Sequence, residues 1–311
     1  MRLLSHFFYE SQLKCYFIIN TMSYVVCVPS YNRPELCNEK TLVMLKNSNI
    51  KKNLVYVFVA NKQELERYNE VLDKNLYHKI VLGKKGLVPQ RQFAMEYFKQ
   101  GEHIVFFDDD VVEVDLSLSK RFKSCSLDIF FKSAFKDCKK YKSFLWGPYP
   151  VYNPFFRKPR PEITTDLRFI AGPFFGIINR PKLKSIKLTI TRHNDQKEDV
   201  ERTIRYFIND GIVLRYDKIA VKTQYYASKS DYGTFEQRKK PMEQAAYNLL
   251  KAFPEYGTVI KKTTGMTEFK LNKTPKINQT LKNNTNKKTK KKTKTTKKTT
   301  KKTKTNKTFK I

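Results

Sequence analysis

Cysteine and histidine are scarce in this sequence, and their spacing excludes the sites that these residues commonly build. The chain of 311 residues has five cysteines and four histidines. No two cysteines have the C-x-x-C spacing of zinc or redox motifs, and the histidines show no ligand spacing. We therefore expect a reducing compartment, the cytoplasm or nucleus, and a metal, if bound, held by carboxylates. The cysteines are Cys15, Cys27, Cys37, Cys125 and Cys138.

Long apolar runs are also missing. No stretch approaches the roughly 20 residues that a membrane-spanning helix requires, so we expect a soluble chain without a membrane span. The best apolar stretch near the start, residues 15–19, is shorter than a signal-peptide core. Met22 directly precedes the first convincing strand, so residues 1–21 are interpreted as an N-terminal extension.

Acidic residues are outnumbered, with 29 Asp and Glu against 62 Lys and Arg, a net charge of +33. Residues 261–311 hold 19 lysines and one glutamate, or +18, which leaves +15 for the rest. Residues 287–305 contain only Lys and Thr and cannot bury apolar surface. We therefore predict that residues 261–311 are a disordered basic tail. Such a tail can bind nucleic acid without sequence specificity, and its plainer interpretation is a solubilising segment.

Residues 22–260 have the composition of a folded domain. Hydrophobic residues are 40% of the chain and aromatics 14%, which excludes wholesale disorder and a small disulfide scaffold. Short β-rich runs alternate with helical patterns from residue 24 to residue 110. This alternation predicts an α/β fold with βαβ units and a parallel sheet covered on both faces. The predicted strands span residues 24–29, 54–60, 79–82 and 103–107.

Three adjacent carboxylates, Asp108, Asp109 and Asp110, follow the fourth of these strands. Adjacent carboxylates repel one another, so their clustering costs free energy without any gain in packing. In extended chain, Asp108 and Asp110 face the same side and can bind one ion together. Oxygen ligands suit Mg²⁺ or Mn²⁺, which complete their shells with phosphate oxygens and water. The alternative is a solvated acidic turn.

A second acidic pair, Glu198 and Asp199, begins a predicted helix over residues 198–210. A carboxylate there is stabilised by the helix dipole, which is the plainer interpretation. The functional interpretation makes one of them a general base that deprotonates an acceptor hydroxyl.

Three loops lie where ligands of α/β sheets bind. Residues 29–33 follow the first strand, where Tyr31 can stack on a base. Arg91 lies near the start of a helix and can contact a diphosphate. Gly172 and Gly176 flank an apolar segment that can shape the wall near a sugar, because glycine permits close backbone approach. The alternatives are an ordinary turn for residues 29–33, a solvated side chain for Arg91, and a bulged core strand for the segment between Gly172 and Gly176.

Taken in order, six segments resemble the GT-A fold glycosyltransferases of family 2, over about residues 22–235. They read V-P-S-Y-N-R-P, V-Y-V-F-V-A-N, G-L-V-P-Q-R-Q, V-F-F-D-D-D-V, G-P-F-F-G-I and K-E-D-V. The resemblance implies a Rossmann-like GT-A domain at residues 22–260, with a mixed, mainly parallel central sheet flanked by helices. It also implies a metal-dependent transfer of sugar from a nucleotide-sugar, in particular a UDP-sugar, with Mn²⁺ or Mg²⁺.

The same resemblance implies roles for individual residues. Asp108 and Asp110 are the expected D-x-D pair for the metal and the sugar diphosphate, and Asp199 is the expected base of an inverting transfer, with Glu198 beside it. His193 and Asp231 are the candidates for the third metal position. The expected nucleotide-sugar contacts are Pro29, Ser30, Tyr31, Asn32, Arg33, Asn61, Arg91, Asp108 and Asp109.

A narrower similarity, to the TET-associated glycosyltransferases and the base J glucosyltransferase, rests on the R-P loop, Tyr68, the G-x-x-x-x-R segment and the D-D-D strand end. Those enzymes glycosylate hydroxymethylated pyrimidines in DNA, which makes DNA an expected acceptor. Basic and aromatic residues at 120–123, 132–142 and 157–160 are expected near the acceptor side, where they can grip phosphates and stack bases.

Three other functions stay open at this point. The acceptor is a glycan or protein hydroxyl in the first. In the second, the chain is an inactive module that binds nucleic acid through its tail. Nucleotidyl transfer on a similar sheet is the third, and it is disfavoured because the first strand is not followed by a G-x-G-x-R loop.

Overall fold

Short runs of Val, Ile and Phe build the parallel half of a nine-stranded sheet. A computed structural model describes residues 22–192, 196–224, 235–263 and 265–275. The strands β1 (Val25–Pro29), β2 (Val55–Val59), β3 (Lys79–Leu82) and β4 (His103–Phe107) lie in the order β3-β2-β1-β4, and all three pairings are parallel. Every residue of β1 is buried, as expected of a strand covered on both faces. The predicted βαβ units are confirmed.

The second half of the sheet mixes strand directions. It contains β5 (Val111–Asp115), β6 (Leu145–Tyr149), β7 (Ile163–Thr164), β8 (Phe174–Ile178) and β9 (Leu214–Thr223). β8 is antiparallel to β4 and β6, β6 is parallel to β9, and β5 and β7 are antiparallel to β9. β1, β2, β3, β4, β6 and β9 therefore run in one direction. The predicted class, a mixed and mainly parallel α/β sheet flanked by helices, is confirmed.

Helices cover the sheet, and each face has its own apolar core. Val26 and Val28 of β1 belong to one core and Val25 and Cys27 to the other, as the period of two along a strand requires. α1 continues into α2 through a π-helical turn, Asn38–Leu42. The α-helices are α1 (Pro34–Cys37), α2 (Val43–Asn47), α3 (Lys62–Val71), α4 (Leu87–Tyr97), α5 (Leu127–Tyr141), α6 (Pro154–Arg157), α7 (Glu198–Asp210) and α8 (Phe235–Ala252).

A β-hairpin follows α8 and a 3-10 turn at Pro254–Tyr256. Its strands, β10 (Gly257–Lys261) and β11 (Thr267–Leu271), are antiparallel, and Phe269 of β11 is buried in the same core as α7. The folded chain thus continues past residue 260, where the sequence predicted the domain to end, and the compact unit extends to Lys273. Residues 1–21 and 276–311, which hold the predicted extension and most of the predicted tail, lie outside the described residues.

Two elements differ from their sequence-based interpretation. Residues 117–165 look irregular in sequence, yet α5 forms there with Ser126 as its cap, accepting a hydrogen bond from the Ile129 amide at 3.3 Å. The apolar runs at residues 212–216 and 219–223 predict two strands, whereas β9 is one continuous strand. Its pairing with β6 shifts in register between Pro148 and Tyr149. In the described part of the chain, no helix is both long enough and apolar enough to cross a bilayer.

The candidate loops meet at one edge of the sheet. The carboxyl ends of β1, β2 and β4 lie there because these strands are parallel. β8 runs the other way, so its beginning is at the same edge, and the Asp108 amide donates a hydrogen bond to the Pro173 carbonyl at 2.9 Å. Ligands of open α/β sheets bind at this edge.

Candidate active site

The three aspartates form a turn between β4 and β5 and do not extend the strand. The hydroxyl of Thr41, which is fully buried, donates to the Asp108 carbonyl at 2.7 Å and accepts from the Val111 amide at 2.9 Å. The expectation of extended chain over Asp108–Asp110 is wrong, because Asp109 and Asp110 lie in the turn. Backbone anchoring by Thr41 holds the turn, and each carboxylate has a different environment.

Asp109 is the buried member of the turn and binds the loop after β1. Its carboxylate accepts hydrogen bonds from Ser30 at 2.6 Å and from the Arg33 guanidinium at 2.5 Å. Ser30 also contacts the Tyr68 hydroxyl of α3 at 2.6 Å, and the Arg33 amide donates to the same hydroxyl at 3.1 Å. Burial raises the pKa of Asp109 to about 7, although Arg33 and Ser30 act in the opposite direction. These contacts fix the loop against the turn.

Arg91 of α4 joins the acidic turn to α7. Its Nη2 donates to Asp108 at 2.5 Å and to the Gly172 carbonyl at 2.9 Å, and its Nη1 binds Glu198. Glu198 also accepts from Arg202 at 2.7 Å, and all three of these α4 and α7 side chains are buried. Buried charges need such partners, because an unpaired charge costs several kcal/mol in a protein interior. The network brings together side chains that lie far apart in sequence.

Asp199 lies beside this network. Its carboxylate accepts from backbone amides, whereas that of Glu198 is paired with two arginines. Its Oδ2 accepts from the Gly172 amide at 3.2 Å and its Oδ1 from the Val200 amide at 2.9 Å. Burial and then the charge of Glu198 raise the pKa of Asp199 to about 6. A Cβ at position 172 would lie 3.6 Å from Oδ2 of Asp199 and 3.1 Å from Glu198, so a glycine permits this approach. A carboxylate with a pKa near 6 is suited to general-base catalysis near neutral pH.

Asp110 and the second oxygen of Asp108 can accommodate a divalent ion. The oxygens of Asp109 are taken by Ser30 and Arg33, and Oδ1 of Asp108 by Arg91. Among the described residues no side chain donates a hydrogen bond to Asp110, and burial followed by the charge of Asp108 raises its pKa to about 6. No cluster of three or more ligating His, Cys, Asp or Glu occurs in the described ranges. These oxygen ligands fit an ion that is held by two carboxylates and that completes its shell with phosphate oxygens and water.

The loop residues predicted to contact the nucleotide are brought to this edge in part. Asn32, in a left-handed conformation with φ of 58°, donates its amide to Glu64 at 2.6 Å. Tyr31 is half-buried, and the Lys85 ammonium lies 5.6 Å from its ring centroid. Pro29 ends β1 and is buried.

Asn61 serves a structural purpose in the described chain. It is exposed, and its side-chain oxygen accepts from the Glu64 amide at 2.9 Å as the N-cap of α3. Its predicted contact with a nucleotide stays a prediction.

Several basic side chains of the segments expected to bind DNA are instead buried or paired with carboxylates of this chain. Arg157 is fully buried and paired with Asp115, so it cannot contact a nucleic acid. Arg121 pairs with Asp137 at 2.5 Å, and Lys132 is the i,i+4 partner of Asp128 on α5 at 2.8 Å. The two candidates for the third metal position, at 193 and 231, lie outside the described residues.

Sequence reasoning did not find several residues that hold the site together. Thr41 and Arg202 have no recognisable motif: Thr41 binds the acidic turn from another element, and Arg202 binds Glu198 within α7. A signal for Glu64 exists in the pattern of Asn61 followed three residues later by Glu, the capping box. Glu64 departs from that box, because its carboxylate binds the Asn32 amide.

Comparisons with known proteins assign no family to this chain. No protein-family model and no curated protein sequence matches it. Among solved structures, TarS 1–349 of S. aureus has a TM-score of 0.38 and 19% identity, over 74% of this chain and 66% of that one, slightly less than two thirds. A mannosyltransferase of Pyrobaculum calidifontis in complex with GDP-Man and Mn²⁺ has a TM-score of 0.42 and 13% identity, over 81% and 74%.

A third structure is glucosyl-3-phosphoglycerate synthase of Mycobacterium tuberculosis in complex with Mg²⁺ and UDP. Its TM-score is 0.45 and its identity 11%, over 83% of this chain and 89% of that one. Similarities of this size carry no argument about what this chain does. The function of the chain has to be argued from its own residues.

Proposed function

We propose that this chain is a metal-dependent GT-A glycosyltransferase that moves a sugar from a nucleotide-sugar to an acceptor hydroxyl. The observation that supports this most is the Arg91 bridge, which places Asp108 of the acidic turn beside the Glu198–Asp199 pair. One arginine thereby joins the acidic turn to Glu198, the neighbour of the candidate base Asp199. A merely structural acidic turn needs no such connection to the start of α7.

The residues divide the reaction between them. The loop from Ser30 to Arg33 would hold the nucleotide, and UDP is the nucleotide that the sequence resemblance implies. Asp108 and Asp110 would hold a divalent ion, which supplies neutralising charge to the departing diphosphate. Glu198 is committed to two arginines, so we assign it the positioning of Arg91 and leave the base to Asp199.

Asp199 would remove the proton of the acceptor hydroxyl. The acceptor oxygen forms a bond with the anomeric carbon while the bond from that carbon to the diphosphate oxygen breaks. The electron pair of the broken bond leaves with the nucleoside diphosphate, and the proton stays on Asp199 until solvent takes it. Attack opposite the leaving group inverts the anomeric configuration.

The acceptor that we test first is hydroxymethylated DNA, with a glycan or protein hydroxyl as the competitor. The body of the chain carries a net charge of +15, which favours a polyanionic acceptor. Burial of Arg157 removes one of the cations on which that expectation rests.

The test is release of nucleoside diphosphate from UDP-sugars with Mn²⁺, using hydroxymethylated DNA, unmodified DNA and simple sugars as acceptors. We expect Asp199→Asn and Asp110→Asn each to lower transfer by about 100-fold or more while the melting temperature is kept. Asp73→Asn, at an exposed carboxylate outside the site, is the matched control and should keep full activity. Full activity in both site variants would overturn the assignment.

The acceptor panel decides the finer question. Release that rises only with hydroxymethylated DNA supports DNA glycosylation. Release that rises with sugars alone moves the acceptor to a glycan. Binding of DNA without any turnover would favour the inactive module.

A further inference from the structure

Two exposed phenylalanines stand on α6, in the segment that joins β6 to β7. Phe155 is 74% exposed and Phe156 is 47% exposed. Val112 of β5 and Val151, just before α6, are exposed as well. These four residues form the apolar ridge. A phenyl ring left in water forgoes the free energy that burial would supply, so a cluster of exposed apolar side chains marks an interaction surface.

The backbone under the apolar ridge is anchored to the sheet. Arg157, the last residue of α6, is fully buried, pairs with Asp115 of β5 and donates to the Lys218 carbonyl of β9 at 3.0 Å. On the other side of α6, the Tyr152 hydroxyl donates to Glu113 of β5 at 2.8 Å. The contacts on both sides of α6 hold it in place, so the exposure of its two rings is a property of the folded chain.

The apolar ridge begins at the edge of the sheet that holds the acidic turn. β6 is parallel to β4, since both are antiparallel to β8, so the carboxyl ends of β4 and β6 lie at the same edge. β5 leaves the turn directly after Asp110, and Glu113, which binds Tyr152, is three residues further on. Three residues of strand span about 10 Å. A surface bound to the ridge would therefore lie near the candidate active site.

Cations border the apolar ridge. Lys158, next to α6, is exposed, and the Arg160 Nε donates to a carbonyl of α6 at 3.0 Å. The Lys222 ammonium lies 5.7 Å from the centroid of the Tyr152 ring. In the described ranges none of these three cations forms an ion pair with a carboxylate. Residues 150–162 hold three cations and one carboxylate, a net charge of +2, so the surroundings of the ridge favour an anionic partner.

Apolar side chains bordered by free cations fit the surface of an anionic bilayer. Phenyl rings can enter the boundary of the acyl chains there, while lysines and arginines meet the headgroup phosphates. The rings are poorly arranged for single-stranded nucleic acid, because those of Phe155 and Phe156 stand at 87° to each other with centroids 5.2 Å apart. Two such rings cannot offer parallel faces to successive stacked bases. The two valines cannot stack on bases at all, whereas a bilayer can bury them.

We propose that the apolar ridge docks this chain on the surface of an anionic bilayer, with the two phenyl rings inserted and Lys158, Arg160 and Lys222 at the headgroups. One small apolar insertion gives only marginal membrane binding, so stable docking needs a second attraction such as a polybasic segment. Residues 261–311, with a net charge of +18, can supply it. The docking requires neither a nucleotide-sugar nor a metal, so its failure would leave the proposed glycosyl transfer untouched.

The test is co-sedimentation of the full chain with vesicles of phosphatidylcholine and phosphatidylserine in equal amounts, beside vesicles of phosphatidylcholine alone. We expect binding to the anionic vesicles. Since the basic tail can also attract anionic lipid, the ridge is tested by substitution. Phe155→Ser combined with Phe156→Ser removes both rings and should lower the vesicle partition coefficient by about tenfold or more. Both side chains are exposed, so the melting temperature should be kept.

Tyr247→Ser is the matched control, because Tyr247 is an exposed aromatic on α8, outside the apolar ridge. It should bind vesicles as the parent chain does. The proposal is overturned if the parent chain does not bind anionic vesicles, or if the double variant and the control bind them equally. It is also overturned if the double variant loses affinity for a thymidine oligonucleotide and keeps its affinity for vesicles, which would assign the ridge to nucleic acid.

Discussion

Arg91 shows how much of the site one side chain holds together. Its guanidinium contacts the acidic turn, the Gly172 carbonyl and Glu198 at once. A lysine has the charge without the planar fork and could not satisfy these acceptors together. The partners lie 17, 81 and 107 residues away in sequence. The arginine could be picked out from its motif, but its partners could not, because only the fold brings them together.

The Arg91–Glu198 pair should be strongly coupled in stability. Arg91→Met alone is expected to lower the free energy of unfolding by about 1–3 kcal/mol, since it removes one of the two arginines that are paired with buried Glu198. Adding Glu198→Gln should recover part of that loss, with a coupling energy of about 0.5–3 kcal/mol. Urea unfolding of the two single variants, the double variant and the parent chain measures the cycle. Additive effects would mean that the pair does not act as a unit.

Asp199 should determine the acid limb of the pH profile. Burial raises its pKa to about 6, so the protonated, inactive form increases as the pH falls through that value. We expect kcat/KM to rise with pH through about 6 and then level off. Saturating Mn²⁺ separates this limb from that of Asp110, because a bound cation lowers the pKa of its ligands. A profile that stays flat through pH 6 would exclude Asp199 as the base.

At the scale of elements, α3 tests whether Asn61 is a cap or a nucleotide ligand. Asn61→Ala should lower the free energy of unfolding by about 1 kcal/mol, because the Glu64 amide loses its acceptor. Asn61→Ser keeps a capping oxygen and should keep the stability. We expect the KM for the donor to be the same in the serine variant and the parent chain. A raised KM at unchanged stability would instead support the nucleotide contact that the sequence predicts.

Elements with local signals could be predicted, and those that depend on distant contacts could not. β1, β2 and β4 are short runs of mostly buried, mostly apolar residues bounded by turn residues, so they could be predicted from sequence alone. α5 escaped notice because its lysines and aromatics obscure the apolar stripe of Phe130, Phe131, Ala134 and Cys138. The acidic turn could also be predicted from a local signal, its three consecutive aspartates. Its turn geometry could not, because it depends on Thr41, which is distant in sequence.

At the scale of the whole molecule, the C-terminal limit of the folded unit can be measured. A chain that ends at residue 275 should melt like the full chain, because the compact unit extends to Lys273. A chain that ends at residue 260 loses Phe269, which is 6% exposed and packs in the core. We expect its melting temperature to fall by about 5 °C or more. Calorimetry of the two truncations decides, and equal melting temperatures would place the boundary at 260.

The burial of Trp146 makes the chain its own optical reporter. It is the single tryptophan of the sequence and fully buried, and no hydrogen-bond partner of its indole nitrogen occurs in the described ranges. Its ring packs edge-on against Phe174, with centroids 5.4 Å apart, at the start of the strand that follows Gly172 and Pro173. Its intrinsic fluorescence should therefore be emitted at short wavelength and shift to the red on unfolding. The same signal reports on movement of the strand that leads out of the candidate site.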